Sequence, residues 1–295
     1  MTRDPARVRG ILWATEAKVT LGRRRQHTIE FDEIGEWSER KIEYVRKYVD
    51  AYSRILQRQK FHSTYIDAFA GAGVHRRKGT GELVPGSPMQ VLDVTPPFDE
   101  YHFIDLDVSK LDYLKEQVGE RPDVHFHAGD CNEILVSEVF PQIRYKDYRR
   151  AFCLLDPYGL HLRWEVFHEA ARTGTVEILV NFSIMDLNMN VGLKNPAGIK
   201  PEQAERMTAF WGDETWREAV HALNQTQPNL FGLEEKAPND AIAKAFCQRL
   251  KDGAGFAYVA PPRLMSSTSG APLYYLVFAS HNATGAKIMG EILRG

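Results

Sequence analysis

The sequence predicts an α/β fold with an open, mostly parallel sheet, and three observations carry that prediction. From about residue 38 onward, short apolar runs alternate with amphipathic segments of helix length. The first run, Ser63 to Ala68, stops at a glycine turn, Phe69-Ala70-Gly71-Ala72-Gly73. The last two runs, Phe256 to Ala260 and Leu273 to Ala279, are joined by Pro261-Pro262 and Ser266 to Gly270 with no helix between them. Strands separated by helices imply parallel βαβ units with helices on both sheet faces, whereas a connection without a helix favours an antiparallel pair.

The elements follow in order. Ser38 is placed to cap a helix with Ile42, Val45, Val49, Tyr52 and Ile55-Leu56 at helical spacing. Strand candidates are Ser63 to Ala68, Tyr101 to Ile104, Asp123 to His127, Ala151 to Leu155 and Val176 to Phe182. Helices are expected at Ser109 to Gln117 and Trp164 to Arg172. From Ser183 to about Asn239 the alternation pauses, with helices around Glu202 to Trp211 and Glu214 to Leu223. Ala241 to Leu250 resumes the core. The expected organisation is an N-terminal arm over 1–35, a Rossmann-like core over 36–182, a helical insertion over 183–240, and a C-terminal helix and strand pair over 241–295. At their spacing, Trp211 and Trp216 read as helix-packing core rather than base-stacking platforms.

Bulk properties narrow the class. The chain has 295 residues, 43% hydrophobic and 26% charged, enough to bury a large core. A net charge of −2 argues against a general polyanion binder, although Arg23-Arg24-Arg25, Arg76-Arg77-Lys78 and Arg149-Arg150 form local basic clusters. No apolar run approaches the roughly 20 residues of a membrane span, and the N-terminus lacks a secretory h-region. Cys131, Cys153 and Cys247 are scattered and odd in number, with neither disulfide nor metal spacing. The natural expectation is a reducing cytoplasm and no metal.

Four candidate site segments fall at the carboxyl ends of predicted strands, where ligands of an open parallel sheet bind. The first is Asp67 to Gly73, whose glycines allow a sharp turn and close backbone approach to a ligand, with a helix N-terminus expected directly after it. Phe69, Ala70, Gly71 and Gly73 are the contacts expected there. The second is Asp105 with Leu106, an acid placed to accept both ribose hydroxyls. Asp107 reads as a helix cap before Ser109. The third is Asp130-Cys131, where a carboxylate can accept from an adenine amine; capping the next helix is the competing reading. The fourth is Asp156 after an apolar strand, a charge costly to bury unless paired or functional. Gly-x-Gly-x-x-Gly is not met because Arg76 stands at its last position, and no phosphate loop occurs. That disfavours nicotinamide, flavin and nucleoside-triphosphate chemistry and leaves S-adenosylmethionine.

These residues resemble a known family. Tyr65 to Gly73, Gly86-Ser87-Pro88, Phe103 to Asp107, Gly129 to Asn132 and Leu155-Asp156-Pro157-Tyr158-Gly159 are similar to the three-Cys-motif partner proteins, as are Leu273 to His281 and Ala286 to Met289. The resemblance covers about residues 36–294. It implies a seven-stranded methyltransferase-like sheet and a bacterial or archaeal protein. It also implies a partner protein carrying a three-cysteine motif, itself similar to radical-S-adenosylmethionine proteins. The name refers to the partner's cysteines, and no substrate comes with it.

Amino-methyltransferases acting on planar nitrogens use Asp/Asn-Pro-Pro-Tyr/Phe after the fourth strand. By that resemblance, Asp156 and the Pro157 carbonyl accept the amine hydrogens. The sequence departs at Tyr158, which stands where the second proline would be, so stacking falls to a displaced Tyr158 or to Phe182. A related Asp-Pro-Phe/Tyr-Gly occurs in tRNA guanine N2-methyltransferases, which keeps a base nitrogen as the leading target. A nucleic-acid substrate needs a basic rim, for which Arg76, Arg77 and Lys78 are the candidates, with Lys194 and Lys200 opposite. A methyltransferase fold serving only as a binding module, and a nuclease built on Asp105, Asp107 and Asp130, are the competing readings.

Overall fold

A computed structural model describes residues 29–193, 195–221 and 237–295. Its main sheet runs β6 (Val124–Ala128), β5 (Glu100–Asp105), β2 (His62–Asp67), β7 (Arg149–Leu155), β8 (Val176–Phe182), β11 (Pro272–Ser280), and then β9 (Tyr258–Val259) and β10 (Arg263–Ser266), which both pair with β11. The first five are mutually parallel, and β11 is antiparallel to β8 and to both of its short neighbours. This is the expected seven-stranded arrangement, with the sixth strand split in two. The break has a simple cause: Pro261-Pro262 lacks two N–H donors, so the ladder against β11 cannot run on.

Two apolar clusters sandwich the sheet. On one face pack α1 (Glu36–Gln59), α2 (Ser87–Leu92), α3 (Val108–Val118) and α10 (Ala283–Arg294). On the other lie α4 (Cys131–Ile134), α5 (Trp164–Thr173), α6 (Ile184–Asn190), α7 (Pro201–Trp211), α8 (Trp216–Val220) and α9 (Asn239–Arg249). Trp211 and Trp216 are buried in that second cluster, as their spacing predicts. β7 and β8 are buried along nearly their whole length, which is why Ala151 to Leu155 and Ile178 to Val180 read as apolar runs rather than alternating ones.

Two local expectations are corrected. The cap of α1 is Gly35, not Ser38; the Ser38 amide already bonds the Gly35 carbonyl inside the first turn. No helix follows the glycine turn directly. Instead β1 (Glu33–Ile34), β3 (Val74–Arg77) and β4 (Leu83–Pro85) form a small second sheet, with β1 parallel and β4 antiparallel to β3. Val74 to Arg77 finds its backbone partners across those two strands, an option that no local pattern discloses. Among the described residues no helix is long and apolar enough to cross a membrane.

Candidate active site

Strand order reverses at β2, which has β5 on one side and β7 on the other, so a crevice opens beyond their carboxyl ends. Asp67, Asp105, Asp130 and Asp156 all stand at or just past the ends of these strands and of β6.

Asp67 is fully buried at the end of β2 and accepts hydrogen bonds from the Ser87 hydroxyl at 2.6 Å and the Phe69 amide at 3.2 Å. Burial pushes its carboxyl up to about 6 against those two bonds. Its role is therefore to pin the glycine turn to the start of α2. Gly71 and Gly73 both have φ in the left-handed region, at 58° and 71°, for different reasons. A side chain on Gly73 would strike Leu114 Cδ1 at 2.5 Å, whereas one on Gly71 would meet nothing within 4 Å. Gly71 thus borders open space, a backbone surface on which a flat ligand can lie.

The Gly71 amide donates to Asp105 Oδ2 at 2.7 Å, joining the first two predicted corners directly. Asp105 Oδ1 accepts from the Asp107 amide at 2.8 Å. Beside it Leu106 is 76% exposed, an apolar side chain offered to whatever occupies the crevice. Asp107 caps α3, accepting from the Ser109 and Lys110 amides, as the capping reading has it. Asp130 likewise caps α4, accepting from the Asn132 amide and side chain at 2.9 Å each, with part of its carboxylate left exposed. Burial pushes the neighbouring Cys131 thiol up to about 12, so it is a packing group rather than a nucleophile.

Asp156 ends β7. One of its oxygens is ion-paired with Lys41 of α1, and the other accepts from Asn181 Nδ2 of β8 at 2.8 Å. Lys41 is only 8% exposed, and its ammonium lies 5.5 Å from the centre of the Tyr274 ring. The loop after Asp156 is held from below. Asp186 accepts from the Leu160 amide at 2.8 Å and is itself gripped by both Arg206 nitrogens at 2.8 and 3.0 Å. Burial acts to raise the Asp186 carboxyl, but the Arg206 and Leu160 bonds hold it below the usual range. A side chain at Gly159 would sit 2.8 Å from Asp186 Oδ2, so glycine is required at that place. Pro157 is buried, while Tyr158 stands 78% exposed at the rim.

Several polar residues at this centre escape the sequence analysis. Asn181 is 8% exposed, and its carbonyl oxygen Oδ1 finds no partner among the described residues. His75 of β3 has an unpartnered buried Nδ1; burial, then the nearby Lys41 charge, holds the ring below its usual value and therefore neutral at pH 7. Asp32 bonds Lys110 of α3 at 2.7 and 2.8 Å; burial first, then Asp32, raises the Tyr158 hydroxyl above its usual value. A signal for Lys41 exists in hindsight: it stands seven residues before Tyr48, on the buried stripe of α1.

The expected substrate contacts fare differently. Phe182 is corrected. It is fully buried in a cluster with Phe246 and Phe210, with ring centres 4.6 and 5.7 Å away, so no substrate ring reaches it. Arg76 and Arg77 lie on β3 rather than on a loop. Arg77 shares the face of His75 but is spent on Glu39 at 2.7 Å and on Glu82. Arg76 points to the opposite face and donates to the Gly81 carbonyl at 3.2 Å. Lys78 is exposed on the hairpin turn. Lys200 caps the start of α7. Arg23, Arg24, Arg25 and Lys194 lie outside the described residues. Among those described, no group of three His, Cys, Asp or Glu side chains is arranged to hold a metal ion, and Asp105, Asp107 and Asp130 are engaged with backbone amides.

No family model matches the chain. No curated protein matches it either. Solved structures do. A Legionella pneumophila protein shares 10% identity over 85% of this chain and 90% of its own, with a TM-score of 0.47. An S-adenosylmethionine-dependent methyltransferase from Clostridium acetobutylicum shares 9% identity over 80% and 92%, with a TM-score of 0.36. Another from Mesorhizobium loti shares 12% over 73% and 90%, with a TM-score of 0.34. At these values the fold is read from the strand order itself, which defines a Rossmann-like sheet with an antiparallel end.

Proposed function

We propose that this protein is an S-adenosylmethionine-dependent methyltransferase acting on a planar nitrogen, with a nucleic-acid base as the substrate class. The observation that carries the reading is Asp156, a carboxylate at the end of a buried strand, in the same crevice as the open face of Gly71. Asp105 and the Gly71 backbone fit the ribose and methionine parts of the cofactor, with Leu106 and the partly exposed Asp130 fitting its adenine. When bound, the cofactor supplies an electrophilic methyl group. The chain's own part is to hold the accepting amine in line and near that carbon, which is where most of the rate advantage of such a site arises. Asp156, which retains free lone pairs beside those used by Lys41 and Asn181, accepts the amine hydrogens. The buried Pro157 and the Asp186–Arg206 clamp keep it in place. Tyr158 at the rim offers its ring to a base.

The resemblance to three-Cys-motif partner proteins supports a companion protein with that cysteine motif. A second reading, a binding module without turnover, is favoured by one observation: Lys41 already occupies an oxygen of Asp156. Calorimetry with S-adenosylmethionine, followed by transfer of labelled methyl to total RNA and DNA, separates the two. Binding with transfer supports the enzyme, and binding without transfer to any nucleic acid supports the module. An absence of binding removes the enzyme and leaves only a module that serves a partner protein without the cofactor.

A further inference from the structure

Just ahead of α1, the segment from Phe31 to Ile34 runs beside β3. The Asp32 carbonyl accepts from the Arg76 amide, and the Ile34 carbonyl from the Lys78 amide, each at 2.9 Å. Ile34 is buried and Gly35 caps α1 directly after it, so one end of this strap is fixed in the fold. The other end is fixed to α3 by two side chains one helical turn apart. The Phe31 ring meets the Tyr113 ring edge-on, with centres 5.3 Å apart. Asp32 holds the Lys110 ammonium with both carboxylate oxygens, at 2.7 and 2.8 Å. Lys110 lies in the first turn of α3, next to the Asp105 corner. From the other side of the crevice Tyr158, which follows β7, donates its hydroxyl to the same Asp32 carboxylate. The charges of Asp156 and Asp105 both act on that hydroxyl, which therefore stands near both corners.

We propose that Asp32 is a positioning residue, the catch of a clasp that retains S-adenosylmethionine in the crevice, and the inference rests on the cofactor reading above. β7 and β5 flank β2 in the sheet. A carboxylate that holds one residue beyond each of them bridges the end of β2, where the glycine turn lies. A ligand seated against Gly71 and Asp105 has to pass that bridge to leave. The two ties differ in strength. The Lys110 pair is charge-assisted, uses both oxygens, and leaves its side chains 18% and 30% exposed. The Tyr158 hydroxyl comes from a side chain open to solvent and breaks first. The clasp therefore opens on the Tyr158 side while the strap stays on α3. An ion pair that served the fold alone would need no third partner from across the crevice.

The test uses the full chain and follows release of labelled S-adenosylhomocysteine into an excess of the unlabelled compound. Asp32→Ala should speed release about tenfold, and Tyr158→Phe, which removes only a hydroxyl, about threefold. Association should stay within about twofold in both, because a clasp closes after the ligand has entered. The two effects should not multiply. The double variant is expected to release about tenfold faster rather than about thirtyfold, since Tyr158 acts through Asp32. Urea unfolding checks the fold of each variant, and Tyr158→Phe, at an exposed side chain, carries the test should Asp32→Ala unfold. Release at the native rate in folded Asp32→Ala or in Tyr158→Phe overturns the inference, as does a double variant in which the effects multiply. Those outcomes leave the cofactor reading standing. Failure of the native protein to bind S-adenosylhomocysteine removes that reading and the clasp with it.

Discussion

Helix α1 meets the sheet with a polar side chain at each end of one stripe, and the two ends bury a carboxylate in different ways. Lys41 and Tyr48 stand seven residues apart on one stripe of the helix, about 10 Å along its axis. Glu177 and Asn181 stand four apart on one face of the strand, about 13 Å. At the far end Glu177 is bonded by the Tyr48 and Ser280 hydroxyls and, among the described residues, meets no cation in an ion pair. Burial pushes its carboxyl up to about 7 despite those bonds. At the crevice end Asp156 meets a full positive charge and an amide, keeps part of its surface open, and has an orphaned acceptor beside it. One end is closed and complete, and the other is charged, partly open and unfinished. A site that must bind something has the second character, because its missing partners are supplied by the ligand.

Four measurements sharpen or break this contrast. The largest expected effect is at the open end. Asp156→Ala should lower methyl transfer by at least about 10²-fold while leaving cofactor affinity within about twofold, since the carboxylate orients the acceptor and not the cofactor. Unchanged turnover would make Asp156 another structural carboxylate. Next comes the pH dependence of the closed end. A carboxyl raised in the folded state stabilises the fold fully below its unfolded value and loses that contribution as pH rises through the folded one. Native stability should therefore decline between about pH 4.5 and pH 7. Glu177→Gln should flatten that slope and gain about 2 kcal/mol over the native protein at pH 8, read by urea unfolding. A slope equal to that of the native protein would show that Glu177 does not titrate there.

A third, smaller effect concerns how tightly the closed end is packed. A side chain at Gly285 would sit 2.6 Å from Glu177 Oε1 and 2.8 Å from the Tyr48 hydroxyl. Gly285→Ala should cost about 1–3 kcal/mol in denaturant unfolding, with kcat of the folded fraction unchanged. The smallest effect lies outside both ends. Arg77→Ala removes a solvated ion pair with Glu39 and Glu82, so the urea-unfolding midpoint should barely move. Methyl transfer to RNA should stay within about twofold; a large rise in KM would return Arg77 to the substrate rim.

Legibility in the sequence follows the range of the interaction. The Asp107 and Asp130 caps bond amides two or three residues away, so a local pattern reveals them. Asp156 is visible because an acid after four apolar residues has no local partner to explain it. Lys41 reaches Asp156 across 115 residues and Asn181 across 25; the helical stripe marks Lys41 as buried, but neither pairing can be read from the chain. Phe182 misleads for the converse reason: an aromatic at the end of a strand looks the same whether it meets a ligand or, as here, two more phenylalanines from α7 and α9.

By itself the sequence determined the alternation of strands and helices, the antiparallel ending and the four acidic corners, because each depends on periodicity, turn chemistry or the cost of a charge beside an apolar run. Only the tertiary structure decided the rest. It turned the segment after Gly73 into a strand, because the backbone partners of that strand lie in β1 and β4. It set a lysine against Asp156 and left an asparagine carbonyl empty, because α1, the end of β7 and β8, distant from one another in the chain, come together there.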